Sequence, residues 1–176
     1  LLAMATMEGL HRVFTSESVM LTRLATAGLG AVDRLPFIKR LLAERPELWD
    51  GAIEEVLRWF SPVHYFRRTA TTDTTLGGER IAEGEKVVVW LSAANRDPEV
   101  FDDPHRLEIT RQPNPHMAFG HGAQFCLGSH LARLELRITL PMLFERLPDL
   151  RLAGPPDRAR NNFLHAIKRL PVRWAA

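Results

Sequence analysis

The stretch that most constrains this chain is Phe119-Gly120-His121-Gly122-Ala123-Gln124-Phe125-Cys126-Leu127-Gly128, which joins the sole cysteine to three glycines ahead of an apolar run with helical spacing. A thiolate is a soft metal ligand. A cysteine placed just before a helix beginning near Leu127 receives free backbone amides and the positive end of the helix dipole, a setting that favours the deprotonated sulfur. Gly120 and Gly122 admit backbone angles closed to other residues, so the loop can fold tightly under the sulfur and turn amides toward it, while Phe119 can shield it from water. By residue type alone a lone cysteine is more often a small buried hydrophobe. The glycine spacing is what favours a ligand.

Composition sets the frame for that loop. With 176 residues, 45% hydrophobic and 25% charged, the chain suits a globular protein with one core. Neither the start, Leu1-Leu2-Ala3-Met4, nor any later stretch has the regions of a signal peptide, and no apolar run approaches the ~20 residues that span a bilayer. No membrane span and a cytoplasmic location are therefore expected. A single cysteine excludes an internal disulfide framework and leaves the thiol free for metal. The formal net charge of +2, with acids and bases interleaved, argues against nucleic acid and allows at most a modest patch for an acidic protein partner.

Along the chain, residues 1 to 45 have apolar positions at helical spacing, interrupted by Gly28, Gly30 and Pro36. Gly28-Leu29-Gly30 has no preceding strand and no third glycine, so it is discounted as a dinucleotide loop. Pro46 and Glu47 open a helix to about residue 60, with Ile53, Val56, Leu57 and Phe60 as its apolar stripe and Ser61-Pro62 as its end. Residues 62 to 91 read as a small antiparallel sheet with turns at Gly77-Gly78 and Gly84. A short helix near Ser92 leads into an ordered irregular loop reaching Pro115. A second long helix is expected from about residue 127 to 146, kinked or broken at Pro141, followed by two or three short strands. The fold class is mainly α with small β-sheets, an α+β arrangement.

The pattern Phe-Gly-x-Gly-x-x-x-Cys-x-Gly, met by Phe119, Gly120, Gly122, Cys126 and Gly128, resembles the haem-binding signature of the cytochrome P-450 family. That resemblance implies haem b with Cys126 as its axial thiolate, whose electron density favours O–O cleavage. Gly128 and Ala132 would let the helix lie close under the ring. Where family members often place a basic residue two before the cysteine, this chain has Gln124, an uncharged donor that would anchor a propionate more weakly. Counting back from Gly77, the propionate arginine falls on Arg68, although two solvated arginines on an edge strand is the alternative for Arg67 and Arg68. His116 is either a propionate donor or a structural histidine. Glu55 and Arg58 look like the family's Glu-x-x-Arg pair, with Arg106 as the second arginine of a buried network.

The resemblance covers about residues 46 to 176 and implies one partial domain: the haem-binding C-terminal portion of the cytochrome P-450 fold, preceded by a divergent helical segment, 1 to 45. A whole member is more than twice this length, so a fragment is expected. The nearest counterpart of the family's distal acid–alcohol pair is Glu17 with Ser18, which lacks the expected glycine ahead of the acid, and no catalytic residue is assigned. Phe163 and Leu164 fall where the family lines its substrate cavity. The implied activity is hydroxylation of an apolar small molecule, as in bacterial members acting on steroids, terpenes or methyl-branched lipids, with electrons from a separate ferredoxin-type donor. One alternative is a truncated, non-catalytic haem-binding remnant. A cysteine hydrolase pairing Cys126 with His116 or His121 is a further alternative, but it has no evident residue to orient the base.

Overall fold

The computed structural model describes residues 36–147 and 149–174. Helix α1 (Pro36–Glu44) begins on the proline that a sequence reading takes as an interruption. Proline is suited to a first helical turn, where its missing N–H has no partner to lose. A 3-10 turn (Pro46–Leu48) then feeds α2 (Trp49–Phe60), so the single helix expected from Pro46 is two elements. Helix α2 ends at Ser61, which adopts the left-handed conformation at φ 40°. Three hydrogen bonds hold it there: its N–H to the Leu57 carbonyl at 3.1 Å, its hydroxyl to the Arg58 carbonyl at 2.9 Å, and the Asn95 amide to its hydroxyl at 2.8 Å.

Strand β1 (Tyr65–Thr69) pairs antiparallel with β4 (Lys86–Trp90), Arg67 opposite Val88 and Arg68 opposite Val87. Between them β2 (Thr74–Leu76) and β3 (Glu79–Ile81) form a hairpin whose two-residue turn needs positive φ at both Gly77 and Gly78. The expected sheet is thus two separate two-stranded ladders. A short helix α3 (Leu91–Ala94) leads into the irregular segment that runs up to the cysteine loop. Helix α4 (Ser129–Arg146) follows that loop and continues through Pro141. The proline deletes one hydrogen bond of the helix ladder, but Leu136 and Leu140 before it and Leu143 after it are all buried. The tail contributes β5 (Arg151–Leu152) paired with β8 (Val172–Arg173), and β6 (Asp157–Arg158) paired with β7 (Ile167–Arg169).

One cluster of buried apolar residues, Ile53, Leu57, Ala118, Phe119, Leu136 and Leu140, binds α2, the cysteine loop and α4 together, with Cys126 and Ala132 packed against its edge. Each large apolar side chain removed from water contributes about 1.5–3 kcal/mol, so the thiol borders the largest buried apolar cluster among the described residues. A second cluster, Leu42, Ala52 and Ile109, seats α1 and the irregular segment on α2, next to the first, with Trp49 packed against both.

Candidate functional site

The cysteine loop is built as its glycines require. Gly120 and Gly122 take φ of 79° and 69°, and the chain turns through a short 3-10 segment (Gly122–Gln124) before reaching Cys126. The Cys126 N–H donates to the Phe119 carbonyl at 2.9 Å, which closes the loop on itself, and the Cys126 carbonyl accepts the Ser129 N–H at 3.1 Å. Helix α4 thus opens at Ser129 with Gly128 as its cap, slightly later than the expected start at Leu127. Phe119 is buried beneath the loop with Phe125 edge-on to it, ring centroids 6.4 Å apart. Gly128 has an ordinary negative φ, and a Cβ there would make only an ordinary contact, 4.0 Å from the Cys126 sulfur, so within the chain itself nothing demands glycine at this position.

Behind the loop lies a fully buried charge network. Glu55 and Arg58 are both 0% exposed and form a bidentate pair on α2, with both contacts at 2.8 Å. The remaining donors of Arg58 go to the carbonyls of Asn95 at 2.7 Å, Pro104 at 2.9 Å and Arg106 at 3.0 Å. Glu55 also accepts the Glu108 N–H at 2.8 Å and the Asn114 amide at 3.1 Å. The expected third member needs correcting. Arg106 is exposed and enters only through its backbone carbonyl, whereas Arg111, buried, brings its Nε to within 3.3 Å of Glu55. Arg111 also donates to the carbonyls of Asp102 and Asp103. Such a network offsets the desolvation of its charges because each of them is satisfied.

A second, smaller cluster escaped the sequence reading. Glu54, next to Glu55 on α2, receives both Nε and a terminal nitrogen of Arg133 from α4 at 2.7 and 2.8 Å, and lies 2.9 Å from His116 Nε2. Burial alone would raise the Glu54 carboxyl, but the His116 and Arg133 hydrogen bonds and the Arg133 charge hold it down at about 2. His116 Nδ1 accepts the Ala118 N–H at 3.2 Å, so the neutral ring with its proton on Nε2 satisfies both contacts. Of the two readings of His116, propionate donor or structural histidine, this geometry favours the second, because both ring nitrogens already have partners inside the protein. The doublet Glu54-Glu55, followed three positions on by Arg58, was the available signal, since adjacent helical positions point to different neighbours.

The other expected site residues are dispersed around this centre. Arg68 is exposed on β1, its guanidinium 5.6 Å from the Phe66 ring, and Gln124 is exposed on the 3-10 turn. Ala132 packs at the edge of the core, one turn into α4. Phe163 lies edge-on to Tyr65 and Phe66, and Leu164 bridges to Val63, so this turn of the tail lies along β1. His121 is exposed on the loop, and Glu17 and Ser18 lie outside the described residues.

The loop offers a fit for a flat apolar group bound through one sulfur. Among the described residues no group of three or more His, Cys, Asp or Glu is placed to hold a metal ion. One thiol suits a metal whose remaining ligands arrive with a prosthetic group. Phe125 and Leu127, on either side of Cys126 in the chain, are exposed, Leu127 at 99%, as are Leu131, Leu134 and Ile138 further along α4. The four aliphatic residues recur at helical spacing and present one open apolar face on and just before α4.

Comparison with known proteins agrees with this geometry. The Cytochrome P450 family model matches residues 42–166, and the chain belongs to that family. It is 43% identical over 158 residues to the methyl-branched lipid omega-hydroxylase of Mycobacterium tuberculosis, covering 85% of this chain and 36% of that protein. The structure superposes on CYP109E1 from Bacillus megaterium in complex with testosterone at a TM-score of 0.86 and 35% identity, over 92% of this chain and 45% of the other. It also matches P450BioI in complex with an acyl carrier protein carrying hexadec-9Z-enoic acid, at a TM-score of 0.84 and 40% identity, over 87% of this chain and 40% of that one. The chain thus spans less than half the length of each of these relatives. Family membership implies haem held by a cysteine thiolate. Among the described residues no helix is long and apolar enough to cross a membrane.

Proposed function

We propose that this chain is the haem-binding portion of a cytochrome P450 monooxygenase that hydroxylates an apolar substrate of the steroid, terpene or branched-lipid class. The observation that carries the reading is the place of Cys126, on a loop closed against Phe119 and bordered by exposed apolar residues. Haem b bound through Cys126 supplies the oxygen-activating chemistry, the sulfur's electron density favouring O–O cleavage. The chain's own residues do the rest. Phe119 excludes water from the buried side of the sulfur, Gly120 and Gly122 shape the loop, and Gly128 and Ala132 leave room for a flat ring. Arg68 and Gln124 are the candidates for its carboxylates, one with charge and one without. Phe163 and Leu164 contribute an apolar lip. A ferredoxin-type protein donates electrons at the face nearest Cys126, in the cytoplasm. The names of the relatives, which include a methyl-branched lipid hydroxylase and a testosterone complex, support the apolar substrate class.

The test is spectroscopic. The protein reconstituted with haem, reduced and exposed to carbon monoxide, should show the strongly red-shifted Soret band of thiolate ligation, and Cys126→His should abolish it. An unchanged spectrum in the variant would overturn the assignment. The open apolar face of α4 favours a second reading, haem binding without turnover. With a ferredoxin system and a panel of steroids, terpenes and branched fatty acids, hydroxylated product coupled to electron consumption selects the monooxygenase. Peroxide without product selects the second reading.

A further inference from the structure

We propose that Glu54, His116 and Arg133 are positioning residues for Cys126, holding Phe119 against the loop and so setting how far the sulfur opens to water. Only the functional meaning of this assignment rests on the haem-thiolate reading above. The three residues come from three parts of the chain: α2, the segment entering the loop, and α4. Glu54 takes two hydrogen bonds from Arg133 and one from His116, and the His116 ring is 2% exposed. A bidentate arginine is fixed in plane as well as in position. The Arg133 guanidinium stands 4.6 Å from the centroid of the Phe119 ring, and the His116 ring centroid lies 6.3 Å from the same ring. Phe119 in turn accepts the Cys126 N–H through its carbonyl at 2.9 Å, and Cys126 packs against the cluster that contains Phe119. Position therefore passes from Glu54 to the guanidinium, from the guanidinium to the ring, and from the ring to the loop that carries the thiol. The side chains of the three bond to one another and not to Glu55, which draws on Arg58, Arg111, Asn114 and the Glu108 amide; the two clusters meet through the backbone, where the His116 N–H donates to the Asn114 carbonyl at 2.9 Å.

The sole thiol of the chain makes the test direct, because an alkylating reagent reads the loop without any cofactor. In the 176-residue protein, Glu54→Ala and Arg133→Leu should raise the rate of Cys126 alkylation by iodoacetamide roughly tenfold through local opening. Arg133→Lys keeps the charge but loses the planar fork, and should fall between parent and Arg133→Leu. Glu54→Gln, nearly isosteric, serves if the larger changes prevent folding, and should still raise the rate several-fold. An unchanged rate in folded Glu54→Gln or Arg133→Leu overturns the proposal, even if melting temperatures fall, because a merely structural role would not expose the thiol. In the haem-loaded protein, the share of the carbon monoxide complex with the red-shifted band should drop in Glu54→Gln. A parent lacking that band would refute the haem-thiolate reading while leaving the alkylation rates to decide this one.

Discussion

At the scale of single residues, the division of labour between side chain and backbone decides what each arginine is worth. Arg58→Ala strands the buried Glu55 carboxylate, and breaking a buried pair in this way costs about 3–5 kcal/mol. Urea denaturation should show that loss, with haem retention falling alongside it. Arg111→Ala should act in the same direction. Arg106→Ala should stay within about 0.5 kcal/mol of the parent, because Arg106 serves only through a carbonyl that alanine keeps. An Arg106→Ala variant as damaged as Arg111→Ala would reverse the assignment of the third member. Glu54 gives a pH signature. Its carboxyl is held from the ordinary 4.5 down to about 2 in the fold, so its contribution is complete above 4.5 and is lost as pH falls toward 2. The melting temperature should drop more steeply below pH 4.5 in the parent than in Glu54→Gln, measured by circular dichroism across that range.

At the scale of elements, close packing overrides local preference. Glycine inside a helix is ordinarily worse than alanine by about 1 kcal/mol, and Gly51 is inside α2. Yet a Cβ at Gly51 would sit 2.6 Å from the Ile109 carbonyl, a backbone atom that cannot swing aside. Gly51→Ala should therefore destabilise, by about 1–3 kcal/mol in a denaturant titration, instead of giving the usual gain. The cysteine loop and the two long helices were legible in the sequence because their signals are local: glycine spacing, a proline start and apolar stripes. The positions of Arg111 and Glu54 were not. Their partners lie 56 residues away in Arg111–Glu55 and 79 in Arg133–Glu54, distances over which no periodicity carries information. Pro141 shows the same limit, since a local rule allows a helix break there, whereas α4 is continuous, with Leu136, Leu140 and Leu143 buried on both sides of the proline.

At the scale of the whole molecule, the apolar face of α4 and the buried network behind the loop set different demands. Leu131 and Leu134 are 60% and 53% exposed, so the unloaded chain should bind a hydrophobic dye, and Leu131→Glu with Leu134→Lys should reduce that binding without lowering the melting temperature. Haem titration of the same double variant would show whether the face also serves the cofactor. The network makes another kind of demand. One guanidinium, Arg58, collects the carbonyls of Asn95, Pro104 and Arg106, so three points along an irregular stretch must arrive at a single rigid fork. That fork works as a gauge of contour length. Between 95 and 106 the count of residues is fixed almost as strictly as their identity, and a single insertion there would withdraw carbonyls that no substitution could replace. At Gly77-Gly78, whose neighbours are exposed and where an added atom meets nothing nearby, the chain can lengthen freely. Family lineages descended from this sequence should therefore drift in length at the hairpin and keep time through the irregular segment.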